Sequence, residues 1–225
     1  MIRKQAGKRK TEAEKGEKEV QKEVIEAIIF DLGRVLIDVD LKKGIFKYTL
    51  SAKASSEKEV LDSLMKDSFY QDYACGRFSA EQFQEEFCRR LNLAMDFKTF
   101  KKEWNNVFKP VHGMEELVNN VHANYKVGLL SDIGPLHWEY LQERLPVLKY
   151  FPNPVLSYKI GFLKPDKETY RLAADSTGVA PEKCLFIDDR EVNVQGAKKV
   201  GMKALLFEGP EKLRNDLKKM GISGL

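Results

Sequence analysis

Aspartates stand at the ends of two apolar runs, where a carboxylate is costly unless something compensates its charge. Asp31 directly follows the run Ala27–Phe30, and Asp188 and Asp189 end the run that begins at Cys184. A charge at such a position is usually paired, metal-bound or catalytic. Two carboxylate clusters at neighbouring strand ends repel each other unless a cation lies between them, and oxygen ligands suit Mg²⁺. The pattern therefore predicts a magnesium site.

A hydroxyl and a lysine complete the set needed for phosphoryl transfer. A carboxylate beside Mg²⁺ can attack phosphorus and form an aspartyl phosphate, which divides the transfer into two easier steps. The remaining phosphate oxygens then need a hydroxyl and a cation. Ser131 follows the apolar run Lys126–Leu130, and Lys164 precedes Pro165 in a loop before a helical pattern. We expect these two side chains to bind the phosphate.

Short apolar runs alternate with helical patterns along most of the chain. The runs cover Ala27–Phe30, Lys126–Leu130, Pro154–Ser157, Cys184–Ile187 and Lys203–Phe207. The helical patterns cover Pro135–Arg144, Lys167–Thr177 and Val192–Val200. This alternation predicts an α/β fold with a doubly wound, Rossmann-like parallel sheet. Ligands bind beyond the carboxyl ends of such strands, so Asp31, Ser131 and Asp188 are expected to meet in one crevice.

Residues 40–112 interrupt this alternation and carry helical signals alone. Capping boxes begin at Ser56 and Ser79, each ahead of an apolar helical stripe. A third helix is indicated by the spacing of Phe97, Phe100, Trp104 and Phe108. We therefore expect an α-helical cap inserted after the first strand, with the α/β core formed by residues 24–39 and 113–225. In this interpretation Trp104 packs within the core or the cap.

The composition is that of an ordinary globular protein without a membrane or nucleic-acid signature. The 225 residues carry a formal net charge of +4, and much of the basic charge lies in the Lys- and Glu-rich segment 1–23, for which we expect a disordered or fraying tail. The longest apolar run falls well short of the roughly 20 residues that span a bilayer. The cysteines lack CxxC spacing, so reduced thiols in a cytoplasmic protein are expected of Cys75, Cys88 and Cys184. Nothing indicates the oligomeric state.

In their order and spacing, these motifs resemble those of the haloacid dehalogenase-like hydrolases. The resemblance spans roughly residues 27–207. Its four motifs are Phe30-Asp31-Leu32-Gly33-Arg34-Val35-Leu36, Leu129-Leu130-Ser131, Lys164-Pro165-Asp166 with Tyr170, and Phe186-Ile187-Asp188-Asp189 with Asn193. The family has an α-helical cap between its first two motifs, which matches the helical insertion. The resemblance implies a phosphatase that depends on Mg²⁺ and acts on a small phosphorylated substrate.

The resemblance also implies a role for each acidic motif residue. Asp31 matches the nucleophile and a metal ligand, and position 33 matches a ligand through its backbone carbonyl, which Gly33 retains. Asp189 matches the most direct remaining ligand, while Asp188 binds directly or through water. These residues are the predicted Mg²⁺ set.

Two further residues near the expected phosphate site are open to more than one interpretation. Ser131 and Lys164 match the family's phosphate binders. Asp132 stands where asparagine is usual, and it is either part of the phosphate site or a helix cap ahead of Pro135. Arg34 stands where glycine or asparagine is common, and it either contacts the substrate or lies in solvent.

A finer resemblance points to one subgroup of the family. The segments Ile37-Asp38-Val39-Asp40 and Gly76-Arg77-Phe78-Ser79 are similar to those of bacterial glucose 1-phosphate phosphatases. This similarity makes a sugar phosphate one candidate substrate. The cap is expected to decide the substrate, and its side chains do not identify one.

Gly33 is the main departure from the family pattern. Position 33 usually holds an aspartate that serves as general acid and base, and losing such a group costs about 10²–10⁴ in rate. The sequence leaves open an impaired phosphatase, a phosphatase whose acid/base has moved to Asp38 or Asp132, and a pseudo-phosphatase that binds a phosphorylated ligand or partner. A phosphomutase would need the missing group, and a dehalogenase would have little use for Asp188 and Asp189.

Overall fold

The computed structural model describes residues 24–40, 43–45 and 66–225. The predicted tail 1–23 and the predicted helix start at Ser56 lie outside these residues. In chain order the strands are β1 (Ala27–Phe30), β2 (Ile37–Val39), β3 (Phe108–Pro110), β4 (Lys126–Ser131), β5 (Val155–Leu156), β6 (Cys184–Asp188) and β7 (Lys203–Leu206).

Five of these strands form one parallel sheet with β1 at its centre. The strand order is β5-β4-β1-β6-β7, and Phe30 lies in register with Leu129 of β4 and Ile187 of β6. All four β1 residues are fully buried, and alternate residues join different apolar clusters on the two faces of the sheet. This double burial explains why β1 reads as a continuous apolar run rather than an alternating one.

Helices connect and cover the strands. They are α1 (Ser68–Ala74), α2 (Ala80–Leu91), α3 (Phe97–Asn105), α4 (Met114–His122), α5 (Pro135–Gln142), α6 (Ser157–Ile160), α7 (Lys167–Thr177), α8 (Glu191–Lys199) and α9 (Pro210–Lys219). The predicted doubly wound α/β sheet is thus confirmed. The largest difference in a strand concerns Pro154–Ser157, where β5 has two residues and Ser157 already begins α6.

Along the chain, the helices α1, α2 and α3 fall between β2 and β3, and these two strands pair as an antiparallel ribbon. The chain enters the insertion after β2 and returns through β3, which pairs Val39 with Phe108. The predicted capping box at Ser79 is confirmed, because its side chain and that of Gln82 cap each other's backbone. The predicted extension of the third helix to Phe108 is wrong, since α3 ends at Asn105 and the ribbon pairing takes Phe108.

Aromatic side chains hold the insertion together as a second core. Phe83 stacks on Tyr73 with ring centroids 3.9 Å apart, and it meets Trp104 edge-on at 5.0 Å. Trp104 is fully buried and stacks on Phe100, which confirms its predicted packing role. The assignment of the whole segment 40–112 as a separate cap stays a prediction.

Buried hydrogen bonds join helix α1 to the loop that follows β4. The hydroxyl of Ser157 donates to the Ala74 carbonyl at 2.6 Å and accepts the Ile133 amide at 2.9 Å. The Tyr73 hydroxyl accepts the Leu136 amide at 3.2 Å. The insertion is therefore fixed directly beside the end of β4, where the predicted phosphate-binding Ser131 lies.

The membrane and cysteine predictions can also be compared with the structure. Across residues 24–40, 43–45 and 66–225, every helix is too short or too polar to cross a bilayer. The three cysteines are free thiols.

Candidate active site

The side chains predicted to do chemistry meet at the carboxyl edge of the sheet. Asp31 follows the last residue of β1, Ser131 ends β4, and Asp188 ends β6 with Asp189 immediately after it. Since β1 pairs with both β4 and β6, these strand ends are neighbours. Because these strands run parallel, their carboxyl ends lie at the same edge of the sheet.

Three carboxylates form the centre of this site. Asp31, Asp188 and Asp189 each offer an oxygen, and these oxygens lie within 4.8 Å of one another. Burial raises the pKa of Asp31 well above its ordinary value, and burial and Asp188 raise the pKa of Asp189. Ionising all three carboxylates together is therefore unfavourable unless cations compensate their charge. An all-oxygen donor set with this charge fits a divalent cation such as Mg²⁺.

Lys164 lies among these carboxylates. Its ammonium nitrogen is 2.7 Å from Asp31 Oδ1 and 2.7 Å from Asp188 Oδ2, and its side chain is 2% exposed. Burial alone lowers the pKa of Lys164, but Asp188 and Asp31 outweigh burial and hold that pKa above its ordinary value. Lys164 is thus a permanent positive charge beside the predicted nucleophile.

Asp188 is held in place by donors from helix α8. Its Oδ1 accepts the Arg190 amide at 2.8 Å and the Asn193 side-chain amide at 3.0 Å, and that side-chain amide also lies 3.1 Å from Oδ2. The Tyr170 hydroxyl in turn donates to the Asn193 carbonyl at 2.9 Å. Asp188 is fully buried with both oxygens engaged. Asp31 and Asp189 are left as the more accessible oxygen ligands.

Arg34 points toward the carboxylates from the loop after β1. One guanidinium nitrogen lies 3.9 Å from Asp189 Oδ2, and the side chain is about one-third exposed. Its φ of 59° places it in the left-handed region, which favours glycine or asparagine. The sequence left two interpretations of Arg34, a contact with the substrate or a side chain in solvent. The position of its guanidinium group near Asp189 agrees better with the first. Its binding to phosphate stays a prediction.

Asp132 does not cap the helix that follows it. The N-cap of α5 is Gly134, and the first-turn amide of Leu136 donates to the Tyr73 hydroxyl rather than to Asp132. Asp132 Oδ1 instead accepts the backbone amide of Lys164 at 3.1 Å, which ties the loop after β4 to the loop that carries the lysine. Burial raises the pKa of Asp132, partly offset by Lys164. The helix-cap interpretation is therefore wrong.

Gly33 and Ser131 line the same cleft. Ser131 is buried beside Asp31, consistent with its predicted place. A side chain built at Gly33 would meet no atom within 4 Å, and its φ is not in the left-handed region. Glycine is therefore not required there by packing or backbone shape. The metal-ligand role of its carbonyl stays a prediction.

The cleft above these residues has a volume of about 490 Å³ and is lined from both the core and the insertion. One wall is largely apolar and aromatic, and it consists of Val39, Tyr70, Trp104, Val107, Phe108 and His137. His137 stacks on Trp104 with ring centroids 4.8 Å apart, and its Nε2 donates to the Trp104 carbonyl at 3.1 Å. The sequence did not predict this wall. The pattern around Trp104 indicates a packed core residue, and His137 has no spacing typical of a metal ligand.

Comparison with known proteins agrees with this geometry. A family model described as haloacid dehalogenase-like hydrolase matches residues 28–207. The chain belongs to the haloacid dehalogenase-like hydrolase family. The match covers all four motifs and confirms the resemblance. The finer resemblance to glucose 1-phosphate phosphatases stays a prediction.

Curated relatives in this family include two enzymes named for phosphorylated metabolites. The D-ribitol-5-phosphate phosphatase of Bacteroides thetaiotaomicron is 25% identical over 201 residues, which is 86% of this chain and 97% of the relative. Flavin mononucleotide hydrolase 1 of Arabidopsis thaliana is 28% identical over 188 residues, 73% of this chain and 76% of the relative.

Solved structures share the fold at lower identity. A haloacid dehalogenase-family enzyme of Bacteroides thetaiotaomicron, in complex with magnesium and inorganic phosphate, has a TM-score of 0.70 at 22% identity, covering 82% of this chain and 95% of that one. An L-2-haloacid dehalogenase of Xanthobacter autotrophicus has a TM-score of 0.64 at 18% identity, covering 89% and 85%. The same fold thus occurs in enzymes named for different reactions, so the reaction must be argued from the site.

Proposed function

We propose that the chain is a magnesium-dependent phosphatase that hydrolyses a small phosphorylated metabolite through an aspartyl phosphate on Asp31. The broader class is a phosphoric monoester hydrolase, which is supported by the family membership and by the phosphatases among the relatives. The metal, the intermediate and the role of each residue are the parts that need testing.

The position of Lys164 is the observation that carries the proposal. Its ammonium group lies 2.7 Å from Asp31 Oδ1, beside a group of three carboxylates. A dianionic phosphate approaching Asp31 would be repelled by the carboxylates alone. Lys164 offers a fixed positive charge at the nucleophile, where it can neutralise a phosphate oxygen as charge develops.

The carboxylates fit the metal that this chemistry uses. Asp31 and Asp189 would hold Mg²⁺ together with the carbonyl of Gly33, and Asp188 would hold it directly or through water. When bound there, Mg²⁺ neutralises charge between nucleophile and phosphate. Without a metal, the buried carboxylates of Asp31 and Asp188 share the ammonium group of Lys164, and the half-buried Asp189 has Arg34 at 3.9 Å.

Asp31, Lys164 and Ser131 are the residues that we assign to the two steps, which also require a proton donor and a proton acceptor. In the first, an Asp31 oxygen bonds to phosphorus while the bond to the leaving-group oxygen breaks and that oxygen takes a proton. In the second, water attacks the same phosphorus, loses a proton and releases phosphate and free Asp31. In this proposal Lys164 binds one phosphate oxygen throughout, and the Ser131 hydroxyl donates to another.

The cleft restricts the substrate class. A volume of about 490 Å³ lies within the range of small-molecule sites, which suits a small phosphorylated metabolite. The relatives are named for a pentitol phosphate and for a flavin mononucleotide. The aromatic wall offers a surface for the leaving group of either kind. A sugar phosphate also stays a candidate.

Steady-state hydrolysis of p-nitrophenyl phosphate tests the proposal. We expect turnover with Mg²⁺, little or none after chelation, and loss of turnover in Asp31→Asn. Asp38→Asn is the matched control, because Asp38 pairs with Lys109 on the ribbon and does not line the cleft. A panel containing ribitol 5-phosphate, flavin mononucleotide and glucose 1-phosphate would then rank the substrate classes.

Two results would contradict the proposal. Turnover that survives both chelation and Asp31→Asn would show a different reaction centre. Binding of inorganic phosphate with Mg²⁺, but no hydrolysis of any ester in the panel, would favour the pseudo-phosphatase that Gly33 leaves open.

A further inference from the structure

Hydrolysis through an aspartyl phosphate needs a group that gives and takes a proton. A sugar or polyol oxygen is a poor leaving group unless it is protonated as its bond to phosphorus breaks, and the attacking water must lose a proton. Gly33 has no side chain to supply this group. If the proposed function holds, another residue of the cleft must meet this need.

The other carboxylates near the cleft are already engaged or badly placed. Asp31 and Asp189 belong to the metal-binding group. Glu191 is exposed at the start of α8 and accepts the Gln195 side-chain amide. Asp38 lies outside the cleft, and its carboxylate is 3.2 Å from the ammonium group of Lys109. Among the cleft-lining residues that the structure describes, the remaining candidate for the acid/base is the carboxyl group of Asp132.

Asp132 has one oxygen held and one available. Its Oδ1 accepts the Lys164 amide at 3.1 Å, which fixes the carboxyl beside the predicted phosphate site. Within residues 24–40, 43–45 and 66–225, its Oδ2 receives no protein donor, and the residue lines the cleft. A fixed carboxyl with one free oxygen facing a ligand cavity suits proton transfer better than structural support.

The electrostatic surroundings of Asp132 agree with a proton-carrying role. Burial raises the pKa of its carboxyl, Asp188 adds to the increase, and Lys164 and Arg190 oppose it. Burial also raises the pKa of Tyr70, and the charge of Asp132 contributes to that increase. Tyr70 belongs to α1 in the insertion and lines the same cleft, so the carboxylate of Asp132 lies within electrostatic range of a cleft residue from the insertion.

We propose that Asp132 is the general acid and base of this phosphatase. As the bond between phosphorus and the leaving-group oxygen breaks, the protonated carboxyl gives its proton to that oxygen and becomes a carboxylate. In the second step this carboxylate takes a proton from the water that attacks the aspartyl phosphate. Phosphate leaves, and both Asp31 and protonated Asp132 are restored.

Asp132→Asn is the informative substitution, because the Asn side-chain oxygen can still accept the Lys164 amide. With p-nitrophenyl phosphate and Mg²⁺, the leaving group needs no proton, so we expect a burst of nitrophenol close to the native one. The steady rate after the burst should fall by at least about 100-fold, since the phosphoenzyme lacks its base. With β-glycerophosphate, the first step itself should slow by at least about 100-fold.

The double variant Gly33→Asp with Asp132→Asn separates lost chemistry from lost folding. Position 33 has room for a side chain, so an aspartate there can replace the missing acid/base. We expect it to recover at least about tenfold in steady rate, within the range of acid/base effects. Such a rescue requires a folded protein with an intact site.

In the native protein, the rate of the first step should also depend only weakly on the pKa of the leaving group, because a general acid protonates that group as it departs.

Several outcomes would overturn this inference. If Asp132→Asn keeps the native steady rate, Asp132 is not the acid/base, while the burst still supports the aspartyl-phosphate proposal. If Asp132→Asn is slow and Gly33→Asp does not restore the rate, the loss is structural. A steep dependence of the native first step on leaving-group pKa would likewise exclude a general acid. If neither protein forms a phosphoenzyme, the proposed function fails and this inference fails with it.

Discussion

The ammonium nitrogen of Lys164 lies 2.7 Å from Asp31 Oδ1, with both side chains buried. The lysine comes from the loop after α6 and the aspartate from the end of β1, so the fold has to bring the two together. This pair gives the predicted nucleophile a fixed cation on one side, and the carboxylates of Asp188 and Asp189 adjoin it.

Lys164→Met should destabilise the protein and make its stability depend strongly on Mg²⁺. Removing one partner of a buried ion pair costs about 3–5 kcal/mol, because the remaining charge is buried without compensation. Here two carboxylates lose their partner, and bound Mg²⁺ should recover part of that cost. Denaturant unfolding with and without Mg²⁺ measures the effect. Lys167→Met, at an exposed position, is the control; equal stability of the two variants would contradict this account.

Asn193→Ala should weaken Mg²⁺ binding without touching a predicted ligand. The Asn193 side-chain amide lies within hydrogen-bond distance of both Asp188 oxygens, and losing such a supporting contact typically costs 10–100-fold in metal affinity. Calorimetric titration with Mg²⁺ measures the change. Gln195→Ala on the exposed face of the same helix should bind as the native protein does. Unchanged affinity in Asn193→Ala would mean that Asp188 does not participate in metal binding.

His137 should make stability fall in mildly acidic solution. Burial lowers the pKa of His137 to about 4, against about 6.5 in an unfolded chain. As the pH falls below about 6.5, the unfolded state takes up the proton first, so native stability is lost down to about pH 4. At about pH 5 this loss is roughly 2 kcal/mol.

The comparison of native protein with His137→Gln isolates this contribution, because other titrating groups are common to both. The free energy of unfolding should fall by about 2 kcal/mol more in the native protein than in the variant between about pH 7.5 and pH 5. His122→Gln, at an exposed position, should behave as the native protein does. Parallel pH curves for the native protein and His137→Gln would show that His137 is not kept neutral by the fold.

A matched pair of glycine substitutions tests the contact between α1 and the loop after β4. A Cβ at Gly134 would overlap the Tyr73 ring, whereas one at Gly33 would meet nothing within 4 Å. Gly134→Ala should therefore cost about 1–3 kcal/mol of overpacking, and Gly33→Ala should change stability by less than about 0.5 kcal/mol. Denaturant unfolding measures both. Equal effects would mean that Tyr73 does not pack there.

The sequence predicts the catalytic centre well because its signals are local. A buried parallel strand needs a continuous apolar run, so an aspartate at the end of that run is conspicuous. Asp31, Ser131 and Asp188 all have this form, and the parallel register alone then brings them together. The local signals predict a shared sheet edge, while the strand order β4-β1-β6 makes the three strand ends neighbours.

Other features depend on partners that are distant in sequence. Asp132 stands near the start of a helix, which is typical of a cap, yet the Lys164 amide 32 residues away takes its oxygen. Phe108 continues the helical spacing of α3, but pairing with Val39 places it in a strand. The aromatic wall was missed for the same reason, since a ligand cleft and a packed core use the same side chains.

Peptide mapping of the acid-quenched enzyme tests the central claim most directly. Native protein mixed with p-nitrophenyl phosphate and Mg²⁺, then quenched within the first turnover, should carry a phosphoryl group on the peptide that contains Asp31. The same peptide from Asp31→Asn should be unmodified, while the Asp38→Asn control should be labelled as the native protein is. A phosphoryl group on any other residue, or rapid phosphate release from a protein that is never phosphorylated, would contradict the account.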